Sequence, residues 1–141
     1  MKLLFVYGSL KQGFANEHVN TGTRLPGAYR TRERLPLFLL GDGQVPCILH
    51  QPGTGHQVSG EVYEVDDSAL VRMDRLERLG ESDGYQRIAL YLECVEPSPH
   101  APSAAITAFV YVKDPAQVPD GTPRIGPLAE YTAEHARHFS W

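Results

Sequence analysis

Phe5-Val6-Tyr7-Gly8-Ser9-Leu10-Lys11 carries an apolar run straight into a glycine turn almost at the start of the chain. The run Leu3 to Tyr7 has the length of a strand, and Gly8, Gly13 and Asn16 supply the turn signals that follow it. Met-Lys-Leu-Leu-Phe-Val has the look of a secretory leader, but Tyr7-Gly8 and Lys11 end the apolar stretch too early for one. A first strand opening into a loop is therefore expected. Successive backbone N–H groups in such a loop can converge on an anion, because glycine lets a ligand approach the main chain.

Working outward, Leu35 to Leu40 and Val45 to His50 flank Gly41-Asp42-Gly43-Gln44, which predicts a hairpin. Pro52, Gly53 and Gly55 break the chain before Val58 to Val65, a further strand. Tyr85 to Val95 alternates, with Ile88, Leu90, Leu92 and Cys94 on one face and Arg87 and Glu93 on the other. A proline-broken tip, Pro97 to Ser103, joins it to the alternating stretch Ala104 to Lys113. Asn16 to Ala28 is ambiguous. The segment from Pro115 to Pro127 is too broken for regular structure, and Leu128 to His138 offers a polar, amphipathic last helix on the surface.

Between Asp66 and Leu79 the period changes to that of a helix, with Asp66 or Asp67 as N-cap and Gly80 as the stop. Six or seven strands with one principal helix predict an α+β fold. Its sheet is antiparallel or mixed and curled into a small barrel, with a peripheral C-terminal helix. The 141 residues are the size of one domain, 1–141.

On a helical wheel Glu77 falls inside the apolar stripe of Leu70, Met73 and Leu76, whereas Arg72, Arg75 and Arg78 lie on the opposite side. Burial disfavours a charged carboxylate, so its pKa is expected to rise toward the range of a neutral-pH general acid or base. The bland reading is a carboxylate at the stripe's edge paired with a nearby base. Asp74, the competing carboxylate, reads as a solvated helix residue.

Other chemistries are excluded on composition and spacing. The net charge of -4, from 13 basic and 17 acidic residues, is spread along the chain and leaves no basic stripe for nucleic acid. No apolar run approaches the roughly 18 residues of a membrane helix. Gly8-x-x-x-x-Gly13 is half of a phosphate-binding loop, but Phe14-Ala15 stand where Lys and Ser or Thr are required. Cys47 and His50, three apart on a strand, point to opposite faces and make no nucleophile pair. His135 and His138 lack a third ligand, so no metal is expected. Both cysteines, Cys47 and Cys94, read as small buried hydrophobes in a reducing cytoplasm.

Taken in order, Val6-Tyr7-Gly8-Ser9-Leu10-Lys11-x-Gly13, Gly60-Glu61-Val62-Tyr63-Glu64-Val65-Asp66, Met73-Asp74-Arg75-Leu76-Glu77 and Tyr85-Gln86-Arg87 resemble the gamma-glutamylcyclotransferase-like family. The likeness runs through about Val112. It is closest to the gamma-glutamylamine cyclotransferase branch, which Val45-Pro46-x-Ile48-Leu49-His50-x-Pro52-Gly53 also resembles.

The resemblance implies a small mixed barrel. It also implies an enzyme that turns a gamma-glutamyl compound into 5-oxoproline and a free amine, with no metal and no organic cofactor. It places the substrate-binding loop on Tyr7, Gly8, Ser9 and Leu10, and the acid/base glutamate on Glu77. Ser9 stands where many members have threonine, and Leu79 to Gly84 and the chain after Asp114 depart from the pattern. The alternatives are a cyclotransferase for gamma-glutamyl amino acids or glutathione, and a non-catalytic small-ligand binder of the same fold. Oligomeric state is not legible.

Overall fold

A computed structural model describes residues 2–14, 16–95 and 106–139. Among them are nine strands: β1 (Lys2–Val6), β2 (Thr23–Arg24), β3 (Tyr29–Thr31), β4 (Leu37–Leu40), β5 (Val45–Leu49), β6 (Ser59–Val65), β7 (Gln86–Cys94), β8 (Ile106–Lys113) and β9 (Arg124–Leu128). The helices are α1 (Asp67–Leu76) and α2 (Ala133–Ala136). The proline-broken tip expected at 97–103 lies outside the described residues, as do the first two residues of the strand expected from Ala104.

Five strands close a ring. β1 pairs antiparallel with β6, β6 with β3, β3 with β7 and β7 with β8, and β8 returns to β1 through a parallel pairing at Leu4 and Phe109. Phe5, Tyr29, Val62, Leu92 and Val110, one from each strand, meet in the barrel interior. Leu4 and Val6 point the other way, into a second core with Ala69, Leu70 and Met73 of α1. With both faces covered, β1 reads as a continuous apolar run, not an alternating one.

Further along, the neighbour of β8 changes. At Val112 and Lys113 it pairs in parallel with Ile48 and Leu49 of β5, which carries the hairpin partner β4 and the edge strand β9. β1 and β5 thus diverge from β8 as the two arms of a fork. Ladder groups in the crotch need another partner, and Tyr7 supplies it. Its hydroxyl donates to the Tyr111 carbonyl at 2.7 Å and accepts from the Ile48 N–H at 3.2 Å.

Three expectations are corrected here. The strand count is nine among the described residues, because β2, β3 and β9 are added. The stretch after Pro115 is not without regular structure, since Arg124 to Leu128 pairs with β4, with a register shift between Leu37 and Leu39. An edge strand next to an irregularity tolerates a proline that a central strand would not. The tail is also not merely a surface wrap. The helix expected over Leu128–His138 is confined to Ala133–Ala136, and Tyr131, 1 % exposed, enters the barrel core. The Lys11 ammonium donates to its carbonyl.

The principal helix begins as expected, with the Asp66 carboxylate accepting the Ala69 N–H. It ends three residues early. Arg78 takes φ 54°, its N–H reaching the Arg75 carbonyl at 3.2 Å while the Leu79 N–H reaches Asp74 at 2.9 Å. This is a Schellman closure with an arginine in the left-handed position where Gly80 had been expected to stop the helix.

Candidate active site

Glu77 is the C-cap of α1, placed where the helix has stopped and the chain turns back toward β7. Its own carbonyl accepts the Tyr85 N–H at 2.9 Å, so the loop 78–84 leaves and returns at this residue. Gly84 is wedged there: a Cβ would stand 1.8 Å from the Arg78 carbonyl oxygen. The Glu77 side chain is 7 % exposed. Burial pushes its pKa up from the ordinary carboxylate value to about 7, against a smaller downward pull from the Lys113 ammonium.

The carboxylate lines a cleft with the loop that follows β1. Phe5 to Leu10, Pro46, Glu77, Tyr85 and Tyr111 line it, around a narrow void of about 30 Å³. The cleft sits where β1 and β5 part from β8, so the fork makes the space that a continuous sheet would fill. The Tyr85 hydroxyl donates to the Pro46 carbonyl at 2.8 Å and fixes the wall opposite the loop. Desolvation drives the phenols of Tyr7 and Tyr85 well above their usual range, so both stay neutral donors.

The loop is held rigidly. The Lys11 N–H bonds the Gly8 carbonyl at 3.0 Å, the Asn16 N–H bonds the Ser9 carbonyl at 2.8 Å, and the Asn16 amide donates to Ser9 Oγ at 2.8 Å. Ser9 and Leu10 are buried, with Leu10 in the second core. Among the described residues the N–H groups of Gly8, Ser9 and Leu10 donate to no backbone carbonyl. Gly8 is needed for close approach: a Cβ there would lie 2.8 Å from Pro46 Cγ.

Asp74 is not the solvated residue its wheel position suggested. Its carboxylate accepts from the Tyr111 hydroxyl at 2.6 Å and from the Arg87 guanidinium, which also stacks on Phe109. This network straps α1 to β7 and β8, and so fixes where the helix end presents Glu77. Arg72, Arg75 and Arg78 are exposed, as the wheel places them.

Glu77, Tyr7, Gly8, Ser9 and Leu10 are thus brought around one cleft. Pro46, Tyr85 and Tyr111 were not singled out as lining residues. Tyr85 stood within a motif carrying the resemblance, whereas nothing in the alternation of β8 marks Tyr111. Cys47 is buried, and desolvation raises its thiol to about 12, which keeps it protonated. Among the described residues no cluster of three metal-ligating side chains occurs, and no helix is long and apolar enough to cross a membrane.

The chain belongs to the gamma-glutamyl cyclotransferase, AIG2-like family, whose model matches residues 4–132. It is 38% identical over 117 residues to the gamma-glutamylaminecyclotransferase of Rattus norvegicus, covering 79% of this chain and 77% of that one. The Homo sapiens gamma-glutamylaminecyclotransferase is 39% identical over 121 residues, covering 79% and 78%. The crystal structure of an AIG2-like protein from Mus musculus superposes with a TM-score of 0.81 at 32% identity, over 100% of this chain and 95% of that one.

Proposed function

We propose that this chain is a gamma-glutamylamine cyclotransferase, with Glu77 as the proton shuttle and the main chain of Tyr7 to Leu10 as the cradle for the glutamyl head. The observation that carries the reading is that a carboxylate with a pKa raised to about 7 lines the same cleft as Tyr7 to Leu10, where the Gly8, Ser9 and Leu10 N–H groups donate to no backbone carbonyl among the described residues.

The loop N–H groups hold the α-carboxylate of the glutamyl group. Ionised Glu77 accepts one proton from the substrate's α-ammonium, and the freed amine attacks the γ-carbonyl carbon. A five-membered lactam closes as the bond to the leaving nitrogen breaks. The proton passes from Glu77 to that nitrogen, and the regenerated carboxylate takes the second proton from the ring nitrogen and hands it to the departed amine, so 5-oxoproline and an alkylammonium leave with the carboxylate ionised again. Atoms and charge balance without an external reagent. Holding the chain folded for ring closure supplies much of the rate, since oriented intramolecular attack can be worth about 7–11 kcal/mol. The buried thiol of Cys47, held protonated, is in keeping with a cytoplasmic setting.

The test is direct: incubate the purified protein with gamma-glutamyl amines, gamma-glutamyl dipeptides and glutathione, and measure 5-oxoproline. Release from the amines supports the assignment. Release only from dipeptides or glutathione moves it to another cyclotransferase, and no release from any member leaves a binding protein.

A further inference from the structure

Lys11 closes the loop that follows β1, yet it does not line the cleft. It is 6 % exposed, an uncommon place for an ammonium. The ammonium donates to the Tyr131 carbonyl and sits 4.5 Å from the centroid of the Phe14 ring, and that ring packs on Tyr131 at 5.5 Å between centroids. Both partners are fixed. Tyr131 is buried in the barrel core, and two residues before it the Ala129 carbonyl accepts the Ser59 N–H of β6 at 2.8 Å. Phe14 closes back on the loop, its N–H reaching the Lys11 carbonyl at 3.0 Å. Burying this charge is costly. Desolvation lowers the Lys11 pKa from the ordinary lysine value, while Glu130 and Glu61 pull it back up and Arg24 pushes it down. An apolar chain of similar length would fill the space without that cost, but it could not hold the Tyr131 carbonyl.

We propose that Lys11 is a positioning residue for the substrate cradle: by tethering the end of the loop to the C-terminal segment at Tyr131, it keeps the N–H groups of Gly8, Ser9 and Leu10 turned toward the cleft. The proposal rests on the cyclotransferase reading and adds to it the part of the chain that holds the cradle in place. Chain geometry carries the effect. The Lys11 N–H bonds the Gly8 carbonyl at 3.0 Å, so a single turn spans Gly8 to Lys11, and a shift at its last residue rotates the peptide groups between. Asn16 holds the middle of this turn at Ser9, and Lys11 holds its end. The α-carboxylate is gripped alike in the bound substrate and in the transition state, so loosening the grip weakens binding with little change in the chemical step.

The experiment measures kcat and KM by 5-oxoproline release, with the gamma-glutamyl compound that the parent turns over fastest. It compares the full chain with Lys11→Met, Phe14→Leu and the double variant, at a temperature where circular dichroism shows each folded. Lys11→Met is expected to raise KM by about ten- to thirtyfold, with kcat within about threefold of the parent and the midpoint of its pH profile unmoved. Phe14→Leu removes the ring beside the ammonium but keeps an apolar side chain, and it tests the same clamp should Lys11→Met not fold. It is expected to raise KM by about two- to fivefold. Both substitutions act on one clamp, so the double variant is expected to match Lys11→Met and not the product of the two effects.

A KM within about twofold of the parent in both single variants, with only stability lowered, overturns the proposal and leaves Lys11 a packing residue. So does a double variant whose change in KM is the product of the single ones. A fall in kcat or a displaced pH midpoint with KM unchanged also overturns it, because Lys11 then acts on Glu77 and not on the cradle. Each of these results leaves the reaction standing. Failure of the parent to release 5-oxoproline from any gamma-glutamyl compound overturns the cyclotransferase reading and this proposal with it.

Discussion

The Tyr7 hydroxyl donates to the main-chain carbonyl of Tyr111 at 2.7 Å, across 104 residues of sequence. Through that contact a side chain at the rim of the β1 loop occupies a place in the ladder that no strand fills, and the cleft keeps its shape.

Tyr7→Phe removes this hydroxyl and leaves the Tyr111 carbonyl and the Ile48 N–H without their shared partner. Each orphaned group costs about 1–3 kcal/mol. The variant is expected to lose about 2–6 kcal/mol of stability to denaturant, with KM for a gamma-glutamyl amine raised as the loop loosens. A melting curve superimposable on that of the unsubstituted protein would show that the fork is satisfied in another way.

Glu77→Gln keeps volume and hydrogen-bonding reach while removing the base. General acid–base catalysis is typically worth 10²- to 10⁴-fold, so kcat for 5-oxoproline release is expected to fall by about that much. The fold, followed by circular dichroism, should be retained. Turnover within a few-fold of the parent would remove Glu77 from the reaction.

The same residue governs stability against pH. Its folded pKa, about 7, lies above the unfolded value near 4.5, so the folded state holds a proton that the unfolded state has released. Stability on this account is complete below the unfolded pKa and declines as pH rises through the folded one. The difference is on the order of 3 kcal/mol. Denaturant titrations at pH 5 and pH 8 should therefore show the parent losing stability relative to Glu77→Gln at the higher pH. Catalysis runs the opposite way, since the base must be ionised: kcat is expected to rise through an apparent pKa near 7. A gap between the two proteins that does not change with pH would refute the assigned shift.

Gly8→Ala brings a methyl group to 2.8 Å from the Pro46 ring. Either the loop or β5 must yield, at about 1–3 kcal/mol, and the cradle moves with it. Loss of kcat/KM is expected to exceed what the fall in stability explains at assay temperature. Unaltered kinetics would mean that the glutamyl head does not rest on this stretch of main chain.

Periodicity carries a reader of the sequence to β1, β4 through β8 and the start of α1, because each of these strands has four or more residues and a clear apolar face. Tyr29-Arg30-Thr31 is too short to show a period, and its identity as a strand depends on Gly60 and Cys94 on either side. Gly126-Pro127 reads locally as a breaker, and only the irregular pairing with β4 admits it.

At the site, Glu77 was visible because three apolar neighbours betray the buried face of its helix. Asp74 reads locally as solvated because the partners that make it structural, Arg87 and Tyr111, come from strands 13 and 37 residues away. The wheel knows nothing of them. The same holds for the cleft: its existence follows from a strand changing neighbours, and no local pattern encodes that.

The ring's closing pair, Leu4 with Phe109, joins residues far apart in the order of synthesis. β1 is translated long before β6 exists to cover one edge and β8 to cover the other, so its apolar residues wait unpaired in the nascent chain. Both walls of the cleft depend on that late docking. An N-terminal fragment that ends between Glu77 and β8 therefore holds every residue of the loop and the carboxylate, yet has no competent site to put them in.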